Sequence, residues 1–200
     1  MLAAAGITVV MSDLFGVSGK DLLASAPLAP ESRARVDSAM RLITGLDFEV
    51  ELFGKLVATR LRADRGYLAI QQLPGVGPVL AAVFVAEIGD IGRFAKPAQL
   101  ASWAGLTPQH RESDTTVHRG RITKQGSRLV RWAAVEAVQR VGPHTGLGAF
   151  RDQVAARRGR NIGVVAAARE LVELVFYGLR DGQIHRLSAP DSASQGEPAA

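Results

Sequence analysis

The sequence predicts an all-α protein in which a long coiled-coil-like helix precedes a compact helical domain containing a helix-hairpin-helix. Three observations support this fold class. Apolar residues recur at alternating steps of three and four between Val36 and Val57, the heptad period of a helix that packs along one stripe. A second apolar stripe of helical period runs from about Gly163 to Leu179. No segment has the alternating pattern of a convincing strand ladder.

The composition favours a protein with an anionic partner. The 200 residues include 24 Lys and Arg against 19 Asp and Glu, a net charge of +5, which suits nucleic acid but is also an ordinary charge for solubility. The absence of cysteine excludes a disulfide framework, a thiolate zinc site and cysteine catalysis. The N-terminus lacks the cationic region of a signal peptide, and the longest uncharged apolar run, 73–86, is too short to span a membrane. We expect a soluble, cytoplasmic protein.

The first two segments are interpreted as a linker and a long helix. Residues 1–29 are interrupted by glycine and proline, which is typical of a lead-in rather than a domain. Residues 30–72 contain no proline after the first position and little glycine, so they predict one heptad-patterned helix. Its apolar stripe can pack within its own domain or form an intermolecular coiled coil, and three heptads are the minimum for the latter. The stripe, called the α2 seam below, consists of Val36, Ala39, Ile43, Leu46, Val50, Phe53 and Val57.

The next stretch, "LPGVGPVLAAVFVAEIGDI" at 73–91, has the pattern of a helix-hairpin-helix. A tight turn at Gly75 and Gly77 would expose backbone N–H groups at the start of the following helix, and those donors suit a DNA phosphate. The alternative is an ordinary turn between helices in which both glycines serve only a positive φ.

Shorter helices complete the predicted helical domain, residues 73–186. Pro97 marks the first turn of a short helix that Gly105 ends. Ser127 is placed to cap a helix over 129–140. A glycine-rich loop, a helix over 149–158, a basic turn at 157–160 and the final helix follow. Residues 187–200 have the composition of a disordered tail.

The stretch 106–132 is a polar, charged insert between apolar helices. Its clustered cations predict a surface for the phosphates of nucleic acid, although a charge run is also typical of a solvated loop. We predict that it binds DNA through Arg111, Arg119, Arg121, Lys124, Arg128 and Arg131, together with Gly75 and Gly77.

The residue types of the insert do not favour a metal site. His110 and His118 have no third ligand at a metal-binding spacing. Glu112 and Asp114, two apart in a basic segment, would form a poor magnesium cage. We therefore predict no metal in this insert. Ser113 carries a hydroxyl among cations, as a nucleophile attacking a phosphodiester would, but a serine in a loop is usually only a loop residue.

Three sequence blocks follow one another in this chain: "LPGVGPVLAAVFVAEIGDIGRFAKPAQLASWAGLTPQHRES", "RGRITKQGSRLVRWAAVEAV" and "RRGRNIGVVAAARELVELVFYGLRDG". In this order they resemble the C-terminal transposase domain of the insertion-sequence transposases of the 110/116/902 type, the bridge-RNA-guided serine DNA recombinases. The resemblance covers about residues 12–186. It implies that residues 30–72 form a coiled coil, that Gly75 and Gly77 lie in the hairpin, and that Ser113 is the nucleophile of a serine-linked strand exchange.

Two departures from the family pattern bear on activity. Glu112 and Asp114 flank Ser113, where the family usually has a second serine and glycines, and carboxylates there would repel an incoming phosphate. The family's N-terminal RuvC-like domain, which supplies an acidic site expected to hold magnesium, has no counterpart in these residues. The expectation is a truncated copy or the tail of an interrupted gene, inactive alone and without a cofactor in this chain.

The partners implied by the resemblance are DNA, a guide RNA, and either further copies of this chain or a full-length transposase bound through residues 30–72. Two alternatives use the same residues differently. One is a non-catalytic coiled-coil partner that regulates a full-length transposase. The other is a helix-hairpin-helix DNA-binding module of unrelated role.

Overall fold

A computed structural model describes residues 2–113 and 116–184 and divides the chain into two compact units, Met1–Leu56 and Val57–Ala200. The predicted tail, 187–200, lies outside the described residues. None of the described helices is long and apolar enough to cross a membrane.

The first unit contains a helix that the sequence did not predict. After a 3-10 turn at Ala3–Ala5, helix α1 spans Val17–Ser25 and buries Leu23. Arg33, in the first turns of helix α2, donates hydrogen bonds to the carbonyls of Leu23 at 2.6 Å and Ala26 at 2.5 Å. These bonds satisfy carbonyls at the C-terminal end of α1, which have no partner within their own helix.

Helix α2 spans Pro30–Leu61 and buries none of its residues. Segment 30–72, which the sequence predicts to be one helix, contains two, because α2 ends at Leu61 and a new helix begins at Arg65. Asp64 starts the next helix by accepting a hydrogen bond from the backbone N–H of Tyr67 at 2.7 Å, and an aspartate in this role favours a new helix start over continuation.

The described part of the second unit is helical except for one β-hairpin. Its helices are α3 (Arg65–Ile70), α4 (Pro78–Ile88), α5 (Pro97–Trp103), α6 (Arg128–Gln139), α7 (Gly146–Arg158) and α8 (Arg160–Asp181), with a 3-10 turn at Ile91–Arg93. The antiparallel strands are β1 (Pro108–Ser113) and β2 (Thr116–Ile122). The all-α prediction is confirmed, and the hairpin is an addition within the predicted insert.

Helix α8 is the centre of the second unit. It packs against α3, α5, α6 and α7 and buries Leu171, Val172, Val175 and Phe176. Phe84 of α4 is fully buried in the same core. The hairpin leaves this helical core after α5 and returns to it before α6.

Local signals set several helix ends as the sequence predicts. Pro97 is the first residue of α5, Gly105 adopts φ +71° after it, and Ser127 caps α6. The predicted glycine-rich loop is shorter than expected, because α7 already begins at Gly146, where Thr145 accepts a hydrogen bond from the N–H of Gly148.

Candidate nucleic-acid interface

The insert is fixed to the core at the base of the hairpin. The N–H of Thr123 donates to the carbonyl of Thr107 at 3.0 Å, and the N–H of Lys124 donates to the carbonyl of Gly105 at 3.2 Å. Backbone hydrogen bonds thus continue from the strands to the C-terminal end of α5. We call residues 105–107 and 123–128 the hairpin base.

Gly126 makes the closest approach in the hairpin base. It adopts φ +81°, and a Cβ atom at this position would overlap the carbonyl oxygen of Trp103. Only glycine combines this backbone conformation with this approach. The approach holds the segment before α6 directly against the end of α5.

Ser113 is the last residue of β1 and is paired with Thr116 of β2. It lies at the opposite end of the hairpin from the base, about 17 Å of extended strand from Pro108. Pairing also aligns Arg111 with His118. The backbone pairing therefore places Ser113 away from the helical core, at the far end of a two-stranded arm.

The other cations predicted within the hairpin are Arg119 and Arg121, both in β2. The side chains of residues 110–121 lie outside the described part of the structure. The structure thus locates the backbone of Ser113, Arg111, Arg119 and Arg121 in the hairpin, and their side-chain contacts with DNA remain predictions.

Lys124 and Arg128 are exposed at the hairpin base. Lys124 is the only described residue other than glycine with a positive φ, at +55°. Residues other than glycine rarely adopt a positive φ, and those that do are concentrated at functional sites. Among the described residues, no carboxylate lies within 4 Å of either cation. Both charges are available to a ligand from solution.

The guanidinium of Arg131 makes a hydrogen bond within the protein. Its Nη1 donates to the carbonyl of Ala104 at 2.8 Å, so it satisfies an acceptor at the C-terminal end of α5. Arg131 therefore links α6 to the hairpin base, and a role in binding DNA would be additional to this link.

Gly75 and Gly77 lie apart from the hairpin base. Gly75 adopts φ +82°, and a Cβ atom there would overlap the carbonyl oxygen of Ala137, near the C-terminal end of α6. Arg128 begins the same helix, nine residues or about 14 Å away along its axis. The two parts of the expected positive surface are therefore separated by the length of α6.

The two glycines have different roles. Gly77 adopts φ −85° and precedes α4 with no side-chain hydrogen bond to the helix start, and a Cβ there would meet no atom within 4 Å. An ordinary turn is expected to need a positive φ at both glycines. Only Gly75 has one, and Gly77 does not. Gly77 leaves an exposed approach to the first turn of α4.

The hairpin base is joined to α4 by a contact that the sequence did not reveal. The hydroxyl of Ser127 donates to Oε2 of Glu87 at 2.6 Å. A carboxylate beside the start of α6 is favoured by the helix dipole, but it also adds negative charge close to Lys124 and Arg128. The described residues contain no group of three or more His, Asp or Glu side chains that could hold a metal ion.

Comparison with known proteins identifies this domain. Residues 67–154 match the sequence model of the Transposase IS116/IS110/IS902 family, a segment that runs from α3 into α7. A protein of insertion element IS116 from Streptomyces clavuligerus is 30% identical over 162 residues, which cover 77% of this chain and 39% of that protein. The chain belongs to the IS116/IS110/IS902 transposase family.

Other relatives of this transposase family agree. The transposase for insertion sequence element IS1111A from Coxiella burnetii is 29% identical over 149 residues, covering 72% of this chain and 39% of that protein. A putative transposase, y4qE, from Sinorhizobium fredii is 43% identical over 68 residues, covering 34% of this chain and 17% of that protein. The chain spans about two fifths of the length of the IS116 and IS1111A proteins.

The family match includes every residue that the sequence assigned to the interface. Gly75 to Arg131 all lie within 67–154, whereas α2, at Pro30–Leu61, lies outside it. The matched segment thus contains the hairpin and the helices around it, but it ends within α7 and leaves out the central helix α8.

Proposed function

We propose that this chain is the DNA-binding portion of an insertion-sequence transposase, in which Ser113 cleaves and rejoins DNA strands. The observation that carries the proposal is the pair of exposed cations Lys124 and Arg128, which have no carboxylate partner among the described residues, at the base of the hairpin that carries Ser113. Membership of a transposase family supports the choice of DNA as the polyanion.

In the proposed reaction, Oγ of Ser113 attacks the phosphorus of a DNA phosphodiester. The Oγ–P bond forms as the bond from phosphorus to the departing deoxyribose oxygen breaks. The hydroxyl proton leaves to solvent, and the departing oxygen gains one from solvent. The reverse attack by a deoxyribose hydroxyl rejoins a strand and releases serine, so no bond energy is lost between the steps.

Arg111, Arg119 and Arg121, which lie in the hairpin with Ser113, would hold the phosphates next to the reacting bond. Lys124 and Arg128 at the hairpin base would hold phosphates farther along the DNA. Cations near the reacting phosphate stabilise charge that develops on its oxygens. Glu112 and Asp114, which flank Ser113 in sequence, act against this stabilisation because they repel the phosphate.

A covalent-adduct assay tests the role of Ser113. The chain is incubated with donor and target DNA, with and without a full-length relative and guide RNA, and a protein–DNA adduct is sought after denaturation. Ser113→Ala should abolish the adduct. Ser102→Ala, an exposed serine of α5, is the matched control and should leave it intact. The nucleophile assignment fails if no adduct forms in either condition.

The salt dependence of DNA binding tests the phosphate contacts separately. Each phosphate neutralised contributes about 0.9 to the slope of log affinity against log salt on duplex DNA. Lys124→Gln and Arg128→Gln should each reduce that slope by about this amount. DNA affinity that does not weaken with salt would contradict phosphate binding, whatever the adduct assay gives.

A second candidate function is favoured by the surface of α2. Seam residues Leu46, Val50 and Phe53 are 65%, 72% and 61% exposed, and apolar surface in this pattern is typical of a helix that pairs with another helix. The chain could then act as a non-catalytic partner that binds a full-length transposase or further copies of itself.

Val50→Glu should weaken this association, because it puts a charge in the middle of the seam. Thr44→Glu adds the same charge on an exposed part of α2 away from the seam and should not. Mass in solution, with and without a full-length relative, is the measurement. Equal masses for both variants and the unaltered chain would contradict the seam as an interface.

A further inference from the structure

The two tryptophans of the chain have very different surroundings. The ring of Trp103 packs against the ring of Phe94, with centroids 5.6 Å apart, and the guanidinium of Arg93 lies 4.6 Å from its centre. Trp132 of α6 is 49% exposed. Among the described residues, no ring or cation stacks on Trp132. It is a large aromatic surface left open to solvent.

The register of α6 accounts for this exposure. The helix buries Val130, Ala133, Ala134, Ala137 and Val138. At 3.6 residues per turn, Trp132 lies on the opposite side of the helix from these buried residues. Leu129 precedes Trp132 by three residues and is also exposed, at 51%. The inner face is filled by small residues, so Trp132 is not required to complete the core. A tryptophan presents both an apolar ring and an N–H donor, so Trp132 is a candidate binding residue.

The charges around Trp132 favour an anionic ligand. Arg128 precedes it by four residues, which places both on one side of α6 about 6 Å apart along the axis, and Lys124 lies just before the helix. Among the described carboxylates, Glu136 is paired with Arg140 at 2.9 Å. Glu87 keeps its negative charge, because its partner Ser127 is an uncharged hydroxyl, and this charge partly offsets the two exposed cations.

A ring beside two exposed cations matches the chemistry of one nucleotide. A phosphate alone would use the cations and leave the ring unused. A base in duplex DNA is stacked on its neighbours and hides its flat face, whereas an unpaired base can stack on an aromatic side chain and gains about 1–3 kcal/mol by doing so.

We propose that Trp132 stacks on an unpaired base of a single-stranded segment whose phosphates are held by Arg128 and Lys124. The ligand is thus single-stranded nucleic acid, read through the face of a base. This inference rests on the proposed nucleic-acid-binding function and adds to it a residue and a preference for unpaired strands.

Binding to three probes tests the proposal on the full chain. The probes are an oligothymidylate of about ten nucleotides, a duplex of the same length, and inorganic polyphosphate, which has the charge but no base. Trp132→Ala should weaken oligothymidylate binding about tenfold or more and leave polyphosphate binding unchanged. Trp132→Phe should retain most of the affinity because it keeps a ring. Leu129→Ala is the matched control for loss of exposed apolar area on the same surface.

Fluorescence reports the stacking directly. In a Trp103→Phe background Trp132 is the one remaining tryptophan, and its emission should be quenched to saturation by oligothymidylate but not by polyphosphate. Circular dichroism of each variant confirms that the helices are retained.

Three results would overturn the stacking role alone: equal oligothymidylate affinity for Trp132→Ala and the unaltered chain, an equal loss of polyphosphate affinity, or a change in oligomer mass without a change in nucleic-acid affinity. The last would assign Trp132 to a protein interface. Failure of the unaltered chain to bind any of the nucleic acids would overturn the proposed function as well.

Discussion

The hydroxyl of Ser127 donates to Oε2 of Glu87 at 2.6 Å. Oγ of Ser127 also accepts a hydrogen bond from the N–H of Val130 at 3.1 Å and so caps α6. One side chain therefore joins the last turn of α4 to the first turn of α6, and it does so at the point where the chain returns from the hairpin. Lys124 and Arg128, two of the cations proposed to bind DNA, lie on either side of Ser127 in sequence.

Ser127→Ala should lower the free energy of unfolding by about 1–2 kcal/mol, because it removes both the cap and the bond to a carboxylate. Glu87→Gln should cost less, since an amide oxygen still accepts from the hydroxyl. Ser102→Ala, at an exposed position of α5, is the matched control. Urea unfolding measures all three. A loss for Glu87→Gln as large as that for Ser127→Ala would mean that the charge of Glu87, rather than the cap, carries the stability.

Gly126→Ala should destabilise the second unit by more than about 2 kcal/mol, because a methyl group would overlap the carbonyl oxygen of Trp103 and the backbone would keep an unfavourable positive φ. Gly54→Ala in α2, where a Cβ meets nothing within 4 Å, is the control and should stabilise its helix by about 0.5–1 kcal/mol. Thermal unfolding distinguishes them. An unchanged midpoint for Gly126→Ala would contradict the close packing of the hairpin base.

How much of this region can be predicted from sequence depends on the range of the interactions. The Ser127 cap and the stop at Gly105 are predictable because each depends on a few neighbouring residues. Partners distant in sequence, such as Glu87 for Ser127 and Ala104 for Arg131, are set by helix packing and leave no local pattern.

The sequence pattern does not predict the β-hairpin, for a related reason. Strand β1, "PQHRES", contains no apolar residue, so it lacks the alternation that identifies a half-buried strand. The β-branched residues Thr116, Val117 and Ile122 of β2 are the one local signal that favours a strand there. Pairing between β1 and β2 is held by backbone hydrogen bonds, which every residue type except proline can donate.

The separation of Gly75 from Arg128 also could not be read from the chain order. The sequence suggests that the glycine turn and the basic insert are neighbours. The packing of α4 against α6 instead places Gly75 beside Ala137 and Glu87 beside Ser127, so the two helices run antiparallel. A phosphate contact at Gly77 would therefore be distinct from one at the hairpin base.

Gly77→Ser tests the proposed phosphate contact at Gly77, because it should raise the stability of the protein and lower its DNA affinity. A serine oxygen at this position can accept from N–H groups in the first turn of α4, and free space surrounds the site, so the free energy of unfolding should rise by a few tenths of a kcal/mol. If those N–H groups bind phosphate, the hydroxyl competes for them and DNA affinity should fall. Gly77→Ala, which adds a methyl group without an acceptor, is the matched control. Unchanged DNA affinity for Gly77→Ser would remove the first turn of α4 from the interface.

Substitutions at Lys124, in the hairpin base, also distinguish an effect on stability from an effect on DNA binding. Its φ of +55° is unfavourable for a residue with a side chain, and the exposed ammonium has no carboxylate partner among the described residues. Lys124→Gly should leave the free energy of unfolding unchanged or raise it by up to about 1 kcal/mol, since glycine adopts this φ without cost. It should also lower DNA affinity and reduce the salt slope by about 0.9.

Lys124→Ala completes the comparison, because it removes the charge but keeps the unfavourable φ. It should bind DNA as weakly as Lys124→Gly and be less stable, and unfolding and salt titration of both variants measure the two effects independently. Equal DNA affinity for the glycine variant and the unaltered chain would mean that the strained lysine serves the turn alone. A gain in stability with a loss of affinity would mean that the strain is retained for binding, as expected of a residue held at a functional site.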